Sequence, residues 1–405
     1  MLATIRNRRR RPPNAGPLRC TFLLTSMPVG GAETLLANLM DRMDPTRMVP
    51  DVVCLKEPGE LGEQIARRHP LASGFIRGRT DIAVVPRLVR HFRGRGTDWA
   101  VTVGAGDKMF WGRLAAAAAG VPAIASALHS TGWPDGVGRL NRRLTGLTDA
   151  FIAVAGSHGE FLRDFERFPR DKVVVIPNGV DCDRFRPDPA AGPDVRHELG
   201  LSPETPLVTI VAALRPEKNH GMFVDVCERV GRVRPDSHFV VVGDGPCRPS
   251  IERAAAERGV ADRLHLLGTR HDTPRLLAAT DVFALTSLNE ASPVSILEAM
   301  ACGVPVVAPD VGSIRESVLD SQTGHLIPVN DADRMTAQVI DLLDNPDRRS
   351  AMSTAATTHV RRHASLDSMT EGYQQLGHRL CRSLENHRAD PSTPNRPFRV
   401  GSYSD

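Results

Sequence analysis

Aromatic side chains are scarce in this chain: Phe, Trp and Tyr make up 4% of its 405 residues. That argues against a base-stacking surface for nucleic acid. The seven cysteines, Cys20, Cys54, Cys182, Cys227, Cys247, Cys302 and Cys381, are scattered and form no C-x-x-C pair. Such spacing speaks against a disulfide framework or a zinc site and suits reduced, mostly buried thiols in a cytosol. No stretch approaches the ~20 apolar residues that span a bilayer. The first 17 residues lack a hydrophobic run, so they do not read as a secretory signal. No G-x-G-x-x-G follows the first strand-like segment, so a nicotinamide site is not supported.

What is present fits a globular protein, with 41% apolar and 24% charged residues. Single hydrophobic cores stop growing beyond ~250–300 residues, so two domains are expected. The formal net charge is +4, and Arg6, Arg8, Arg9, Arg10 and Arg11 supply more than all of it. The rest of the chain therefore sits near −1, and the basic balance reports an arm rather than a basic globular face. The arm at 1–17, with Pro12, Pro13 and Pro17, reads as disordered. Two roles stand open for it: a solubilising tail, or attraction to an anionic membrane at ~1 kcal/mol per Arg.

From Arg19 onward, short β-rich runs alternate with helical stretches. Strands are predicted at 20–25, 49–55, 99–103, 122–128, 150–154 and 172–176. The alternation pauses at 187–206, which holds five prolines and two glycines and reads as a linker with one short helix. It restarts with apolar runs at 207–214, 238–242, 264–267, 281–286 and 304–308. Strands alternating with helices mean parallel sheets covered on both faces. Two doubly wound α/β domains follow, with ligands expected outside the carboxyl ends of the strands, in an inter-domain cleft. The expected division is 1–17 arm, 18–186 first domain, 187–206 linker, 207–365 second domain, 366–385 C-terminal helix returning to the first domain, and 386–405 disordered tail.

Four segments carry candidate chemistry. Gly30 and Gly31 lie where the first strand meets a helix N-terminus, where free amides favour an anion; a plain tight turn fits as well. Arg215, Lys218 and their neighbours follow a strand, where cations can neutralise a diphosphate leaving group; a solvated loop is the plain alternative. Gly243-Asp244-Gly245-Pro246 is either a simple connection or a turn bringing amides to a nucleotide. Asn289-Glu290-Ala291-Ser292-Pro293-Val294-Ser295-Ile296-Leu297-Glu298 is the most informative. Ser292 is the expected N-cap, Pro293 the first helical residue and Gly303 the stop. The helix start is an anion site, and Glu298, among apolar neighbours, needs polar partners or a ligand's hydroxyls. A structural ion pair explains these glutamates equally well.

At these residues the sequence resembles glycosyltransferase family 4, retaining enzymes of GT-B architecture with two Rossmann-like domains. The resemblance spans roughly 19–365 and keeps family order: Gly30-Gly31, His129, Asn178-Gly179-Val180-Asp181, Lys218, Gly243-Asp244-Gly245-Pro246, then Glu290 with Glu298. It implies that Glu298 binds ribose hydroxyls and that Glu290 and the amides of Ala291, Ser292, Pro293 and Val294 hold the donor sugar. Lys218, helped by the Gly30-Gly31 backbone, would neutralise the diphosphate, with His129 facing the reaction centre. The implied activity is hexosyl transfer from a nucleotide diphosphate sugar to a hydroxyl acceptor in glycan, polysaccharide or glycolipid synthesis. A UDP-sugar is favoured and a GDP-sugar left open; no cofactor or metal is expected. The implied setting is cytoplasmic, peripheral to a membrane if the arm binds one. Loops 104–110 and 129–138 are the expected acceptor readers. One departure stands out: the family's arginine five residues before the lysine is Ala213 here. Arg215, two residues on, would point the same way on an extended strand. Asp181-Cys182-Asp183 mimics a metal motif but belongs to the Asn-Gly-Val-Asp turn. The alternatives are a catalytically silent GT-B subunit and another GT-B activity such as epimerisation or phosphorolysis.

Overall fold

The computed structural model describes residues 11, 16–78, 81–104, 106–129 and 142–386. It divides into two compact units. One runs to Asn178 and resumes at Leu366; the other is Gly179–Ser365.

Among the described residues the first unit holds seven strands: β1 (Leu18–Leu24), β2 (Met48–Cys54), β3 (Leu71–Ala72), β4 (Trp99–Val103), β5 (Ala123–Ala127), β6 (Ala150–Ala153) and β7 (Val173–Val175). They form one parallel sheet in the order β3-β2-β1-β4-β5-β6-β7. Every residue of β4 and β5 is buried, as expected of strands covered by helices on both faces. The strand order reverses between β1 and β4. A crevice forms at such a switch point, outside the carboxyl ends of the strands, and here the β1 loop carrying Gly30 opens onto it.

The second unit repeats the plan with β8 (Leu207–Val211), β9 (His238–Val242), β10 (Leu264–Gly268), β11 (Val282–Ala284), β12 (Val306–Pro309) and β13 (Gly324–Ile327). Its parallel order is β10-β9-β8-β11-β12-β13, so the switch point lies between β8 and β11. Val208, Ile210, Phe239, Val241, Phe283 and Met300 belong to one buried core. The sequence pattern predicts neither β3 nor β13. Two residues carry no periodicity, and β13 begins Gly324-His325 rather than with an apolar run.

The stretch 187–206 is not a free linker. Its helix, Ala191–Glu198, buries Ala191 and Val195 against Leu207, Val240 and Leu276. Arg196 donates to the carbonyl oxygens of Thr205 (2.7 Å) and Ala279 (3.1 Å) and pairs with Asp281 (2.7 Å). The units divide at 178/179 instead. The helix Leu366–Asn386 packs in the first unit, with Tyr373 6.3 Å from Phe22 and 6.2 Å from Trp99 between ring centroids. Arg42 pairs with Asp367 and Arg47 with Glu371, both at 2.6 Å. At Gly377 an added Cβ would sit 2.6 Å from the Trp99 ring, so only glycine lets this helix approach so closely.

Most of the N-terminal arm and the whole tail after 386 lie outside the described residues. Arg11 is described, and its guanidinium pairs with Asp98 at 3.3 Å. Among the described residues no helix is long and apolar enough to cross a membrane.

Candidate donor site

The switch point of the second sheet brings two loops together. The loop after β8 tightens into a 3-10 turn at Pro216–Lys218. The loop after β11 runs from 285 to 293. Two bonds stitch them: Leu288 N–H to the Glu217 carbonyl oxygen, and Thr286 Oγ to the Lys218 carbonyl oxygen, both 2.9 Å. Across this seam Lys218 Nζ reaches Glu290 Oε1 at 2.5 Å, and Ser287 Oγ donates to the same oxygen at 2.7 Å. Glu290 is buried, and the Lys218 side chain is 22% exposed. The ammonium is thus held in place yet open to an incoming anion.

A third loop fixes Glu290 from behind. Gly312 has φ +57°, and a Cβ there would overlap the Glu290 carbonyl oxygen. Next to it, buried Ser313 donates its hydroxyl to the Ala291 carbonyl oxygen. Ser287 and Gly312 are support residues that the sequence reading does not single out. The only signal for either is spacing, Ser287 three residues before Glu290.

The helix at this loop is Val294–Ala301, and Pro293 rather than Ser292 occupies its cap, with no capping side chain. Proline has no N–H to cap and its ring fixes φ, so the helix starts one residue later than expected. Gly303, with φ +79°, ends the segment as predicted. Glu298 is half-buried on this helix, and no hydrogen-bond donor among the described residues reaches its carboxylate. Burial pushes its pKa up to about 7, and only Arg184 opposes the rise. Arg184 is held by the His271 carbonyl oxygen at 3.2 Å and is a further residue absent from the sequence reading.

His220 is buried at the start of the helix His220–Val233, with neither ring nitrogen hydrogen-bonded among the described residues. Burial, with the Lys218 charge adding to it, lowers its pKa to about 4, so the ring is neutral.

The glycine turn is explained by packing. A Cβ on Gly243 would overlap the Ala212 carbonyl oxygen, and one on Gly245 would lie 2.6 Å from the Leu214 carbonyl oxygen. Both amides are engaged within the protein, Gly243 to the Gly268 carbonyl oxygen (2.8 Å) and Gly245 to Asp244 (2.7 Å).

The alternation that linked Arg215 to Ala213 does not hold. β8 ends at Val211, and the Arg215 N–H bonds the Ala213 carbonyl oxygen at 2.8 Å, closing a tight turn. Leu214 between them is buried, and Arg215 is exposed with no partner among the described residues. Asp181 caps its own turn, accepting from the amides of Asp183 (3.0 Å) and Arg184 (3.2 Å).

In the first unit Gly30 caps the helix Gly31–Arg42 without a capping side chain, and a Cβ on Gly31 would meet nothing within 4 Å. His129 follows β5 and is half-buried. Of the expected acceptor loops, residue 105 and 130–138 lie outside the described residues.

Two family profiles match this chain, one after the other: Glycosyltransferase Family 4 over 29–184 and Glycosyl transferases group 1 over 193–359. The chain belongs to glycosyltransferase family 4. Among its relatives in the family is a GDP-mannose-dependent phosphatidylinositol monomannoside mannosyltransferase of Mycolicibacterium smegmatis. It is 35% identical over 54% of this chain and 58% of the relative. A UDP-galactose-dependent diphosphoundecaprenol galactosyltransferase of Escherichia coli is 31% identical over 58% of this chain and 63% of the relative. The chain thus matches less than two thirds of the length of these curated relatives. Solved structures extend the likeness of fold over nearly the whole chain. Anabaena HepE, in complex with UDP, has a TM-score of 0.77 at 20% identity over 89% of this chain and 99% of its own. The lipopolysaccharide glycosyltransferase WaaG has a TM-score of 0.70 at 16% identity over 88% and 99%. The family member described here therefore has the GT-B fold.

Proposed function

We propose that this chain is a retaining glycosyltransferase that moves a hexosyl group from a nucleotide diphosphate sugar to a hydroxyl of a glycan or lipid-linked acceptor. The observation that carries the reading is the Lys218–Glu290 pair on the two loops of the β8/β11 switch point. A diphosphate arriving there finds an ammonium already positioned, and a cation fixed before the reaction stabilises the leaving charge without reorganisation. Glu298 supports the same reading, since a half-buried carboxylate lacking a protein donor suits the hydroxyls of a ribose.

In the proposed step the bond from the anomeric carbon to the diphosphate oxygen breaks. A bond to the acceptor oxygen forms on the same face, and the acceptor proton passes to the departing diphosphate. Lys218 takes the developing charge, Glu290 with the 291–294 backbone holds the sugar, and Glu298 holds the ribose. Gly30, Gly31 and His129 of the first unit have the roles the family resemblance implies. Arg215 is exposed and unpaired and remains the candidate second cation, to be tested as Arg215→Ala. The reaction needs no metal in this scheme, because positioning and fixed charge supply the catalysis. A cytoplasmic setting, and contact of the arginine-rich arm with an anionic membrane, belong to the same proposal.

The relatives named above use GDP-mannose and UDP-galactose, so both bases enter the test. Thermal-shift screening of UDP- and GDP-sugars selects the donor. Nucleotide release with glycan and lipid-linked acceptors then measures transfer, and product NMR reads the anomeric configuration. Release that depends on acceptor and on Lys218, with retained configuration, is expected. Donor binding without release from any acceptor would instead indicate a silent subunit.

A further inference from the structure

The ion pair at the centre of the donor site is held more firmly at one end than at the other. Lys218 is fixed through its main chain. Its N–H bonds the Arg215 carbonyl oxygen at 3.0 Å, and its own carbonyl oxygen accepts from Thr286 Oγ at 2.9 Å. Its side chain is 22% exposed, and among the described residues its ammonium ends on Glu290 alone. Glu290 has less freedom. Its side chain is 9% exposed, and its main chain packs so closely on Gly312 that a Cβ there would overlap the Glu290 carbonyl oxygen.

One short segment just past β11 braces both charges. Thr286 and Ser287 are consecutive and buried, and their hydroxyls serve opposite members of the pair. Thr286 Oγ holds the Lys218 main chain, and Ser287 Oγ donates to Glu290 Oε1 at 2.7 Å. Oε1 is therefore shared by the ammonium and the hydroxyl. Oε2 accepts no hydrogen bond among the described residues and is not sealed from solvent.

An incoming diphosphate changes this balance. It competes with Oε1 for the ammonium, and the lysine, a point charge on a flexible stem, is the member able to move. Once the ammonium is drawn off, the Ser287 hydroxyl is the partner that Glu290 keeps. A hydrogen bond to an ionised group is stronger than one between neutral groups. A buried carboxylate with neither donor would turn to find another.

We propose that Ser287 is a positioning residue for sugar transfer, its hydroxyl keeping Glu290 Oε2 toward the donor sugar after the diphosphate has taken Lys218. This rests on the donor-site reading and adds to it which member of the pair moves. Ser287 touches no substrate in this scheme and acts only through Glu290. Its contribution is greatest once donor is bound, so its loss belongs in kcat rather than in donor affinity.

The test compares the full chain with Ser287→Ala, Ser287→Cys, Lys218→Ala, Glu290→Ala and the double variant Ser287→Ala/Glu290→Ala. Cysteine keeps a side chain of similar size with only a weak donor, so it separates a lost hydroxyl from a cavity and stands in if the alanine protein does not fold. Nucleotide release from UDP-galactose and GDP-mannose, with glycan and lipid-linked acceptors, gives kcat. Thermal-shift titration with the same donors gives affinity, and circular dichroism melting checks the fold. Ser287→Ala and Ser287→Cys should each lower kcat about tenfold or more, with donor affinity changed by no more than about threefold. In the Glu290→Ala background, Ser287→Ala should change kcat by no more than about twofold, because the carboxylate through which it acts is gone. A packing role would slow both backgrounds alike. Parental kcat in either Ser287 variant, a loss confined to donor affinity, or an equal loss in the Glu290→Ala background overturns the inference. Parental turnover in Lys218→Ala and Glu290→Ala would sink the donor-site reading itself; slow turnover in those two beside a parental Ser287→Ala sinks only the role of Ser287.

Discussion

Lys218 and Glu290 meet at 2.5 Å across the seam between two loops, and Ser287 donates to the same carboxylate oxygen. In the absence of donor the lysine is therefore already engaged, and a diphosphate must share it with Glu290. The pair has a structural as well as a chemical part, and the two can be separated. Lys218→Met leaves a buried carboxylate with Ser287 as its remaining partner and should lower stability by roughly 3 kcal/mol. Adding Glu290→Gln removes the orphaned charge and should restore most of that loss. Turnover should stay down by about 10²–10³-fold in both proteins, because the preorganised cation is missing. Urea denaturation and nucleotide release measure the two parts. A double variant as unstable as the single one would show that the pair is not the source of the loss.

Gly312 tests how tightly the Glu290 loop must be held. Its left-handed backbone and its contact with the Glu290 carbonyl oxygen leave no room for a methyl group. Gly312→Ala should displace the loop, costing about 1–3 kcal/mol in stability. The expected kinetic signature is a loss of kcat larger than any change in donor affinity, since a small misplacement at a reacting centre lowers rate steeply. Equal and minor changes in both would mean that the loop tolerates the shift.

Most of the fold is legible in the sequence because its strands are short apolar runs between helices, a pattern with one economical solution. The segment 238–242 is a strand in prediction and structure alike, since Phe239 and three β-branched valines, Val240, Val241 and Val242, form an apolar run before a glycine turn. The unit boundary is not legible. Prolines and glycines at 187–206 look like a linker, but Arg196 ties that stretch into the second unit through groups distant in sequence, Ala279 and Asp281. The candidate site is legible as motifs and not as geometry. Spacing shows Glu290 and Glu298 but not that Lys218 pairs with Glu290, because a contact between residues 72 apart depends on the β8/β11 crossover. Strand alternation misplaced Arg215, because a turn begins where a strand was assumed.

Arg196 itself makes a sharp prediction. Its guanidinium serves three backbone carbonyls, those of Gly192, Thr205 and Ala279, together with Asp281, and Asp281 also accepts the Leu207 N–H at 2.8 Å, at the start of β8. Arg196→Lys keeps the charge but has no planar fork to meet partners in several directions. It should lose about 2 kcal/mol or more in urea denaturation, while Arg196→Met, which strands Asp281, should lose roughly 3–5 kcal/mol. Thermal unfolding of a lysine variant indistinguishable from the parent would rule out the geometric argument.

Glu298 gives the chain a pH dependence of definite sign. Burial holds its carboxyl at about 7 against the ordinary 4.5, with Arg184 opposing. The folded state therefore binds this proton more tightly than the unfolded chain does. Its stabilising contribution is complete below about pH 4.5 and is lost as pH rises through 7. Glu298→Gln is neutral throughout and lacks that loss. The variant should match the parent near pH 4.5 and exceed it at pH 8, by an amount on the order of 2–3 kcal/mol. Denaturation at the two pH values measures the difference. Donor affinity should run the other way in the parent, rising through pH 7 as the carboxylate forms and accepts the ribose hydroxyls. In Glu298→Gln that rise should disappear and affinity should be low at every pH. A variant that gains stability at pH 8 yet keeps a pH-dependent donor affinity would separate the buried carboxyl from donor recognition.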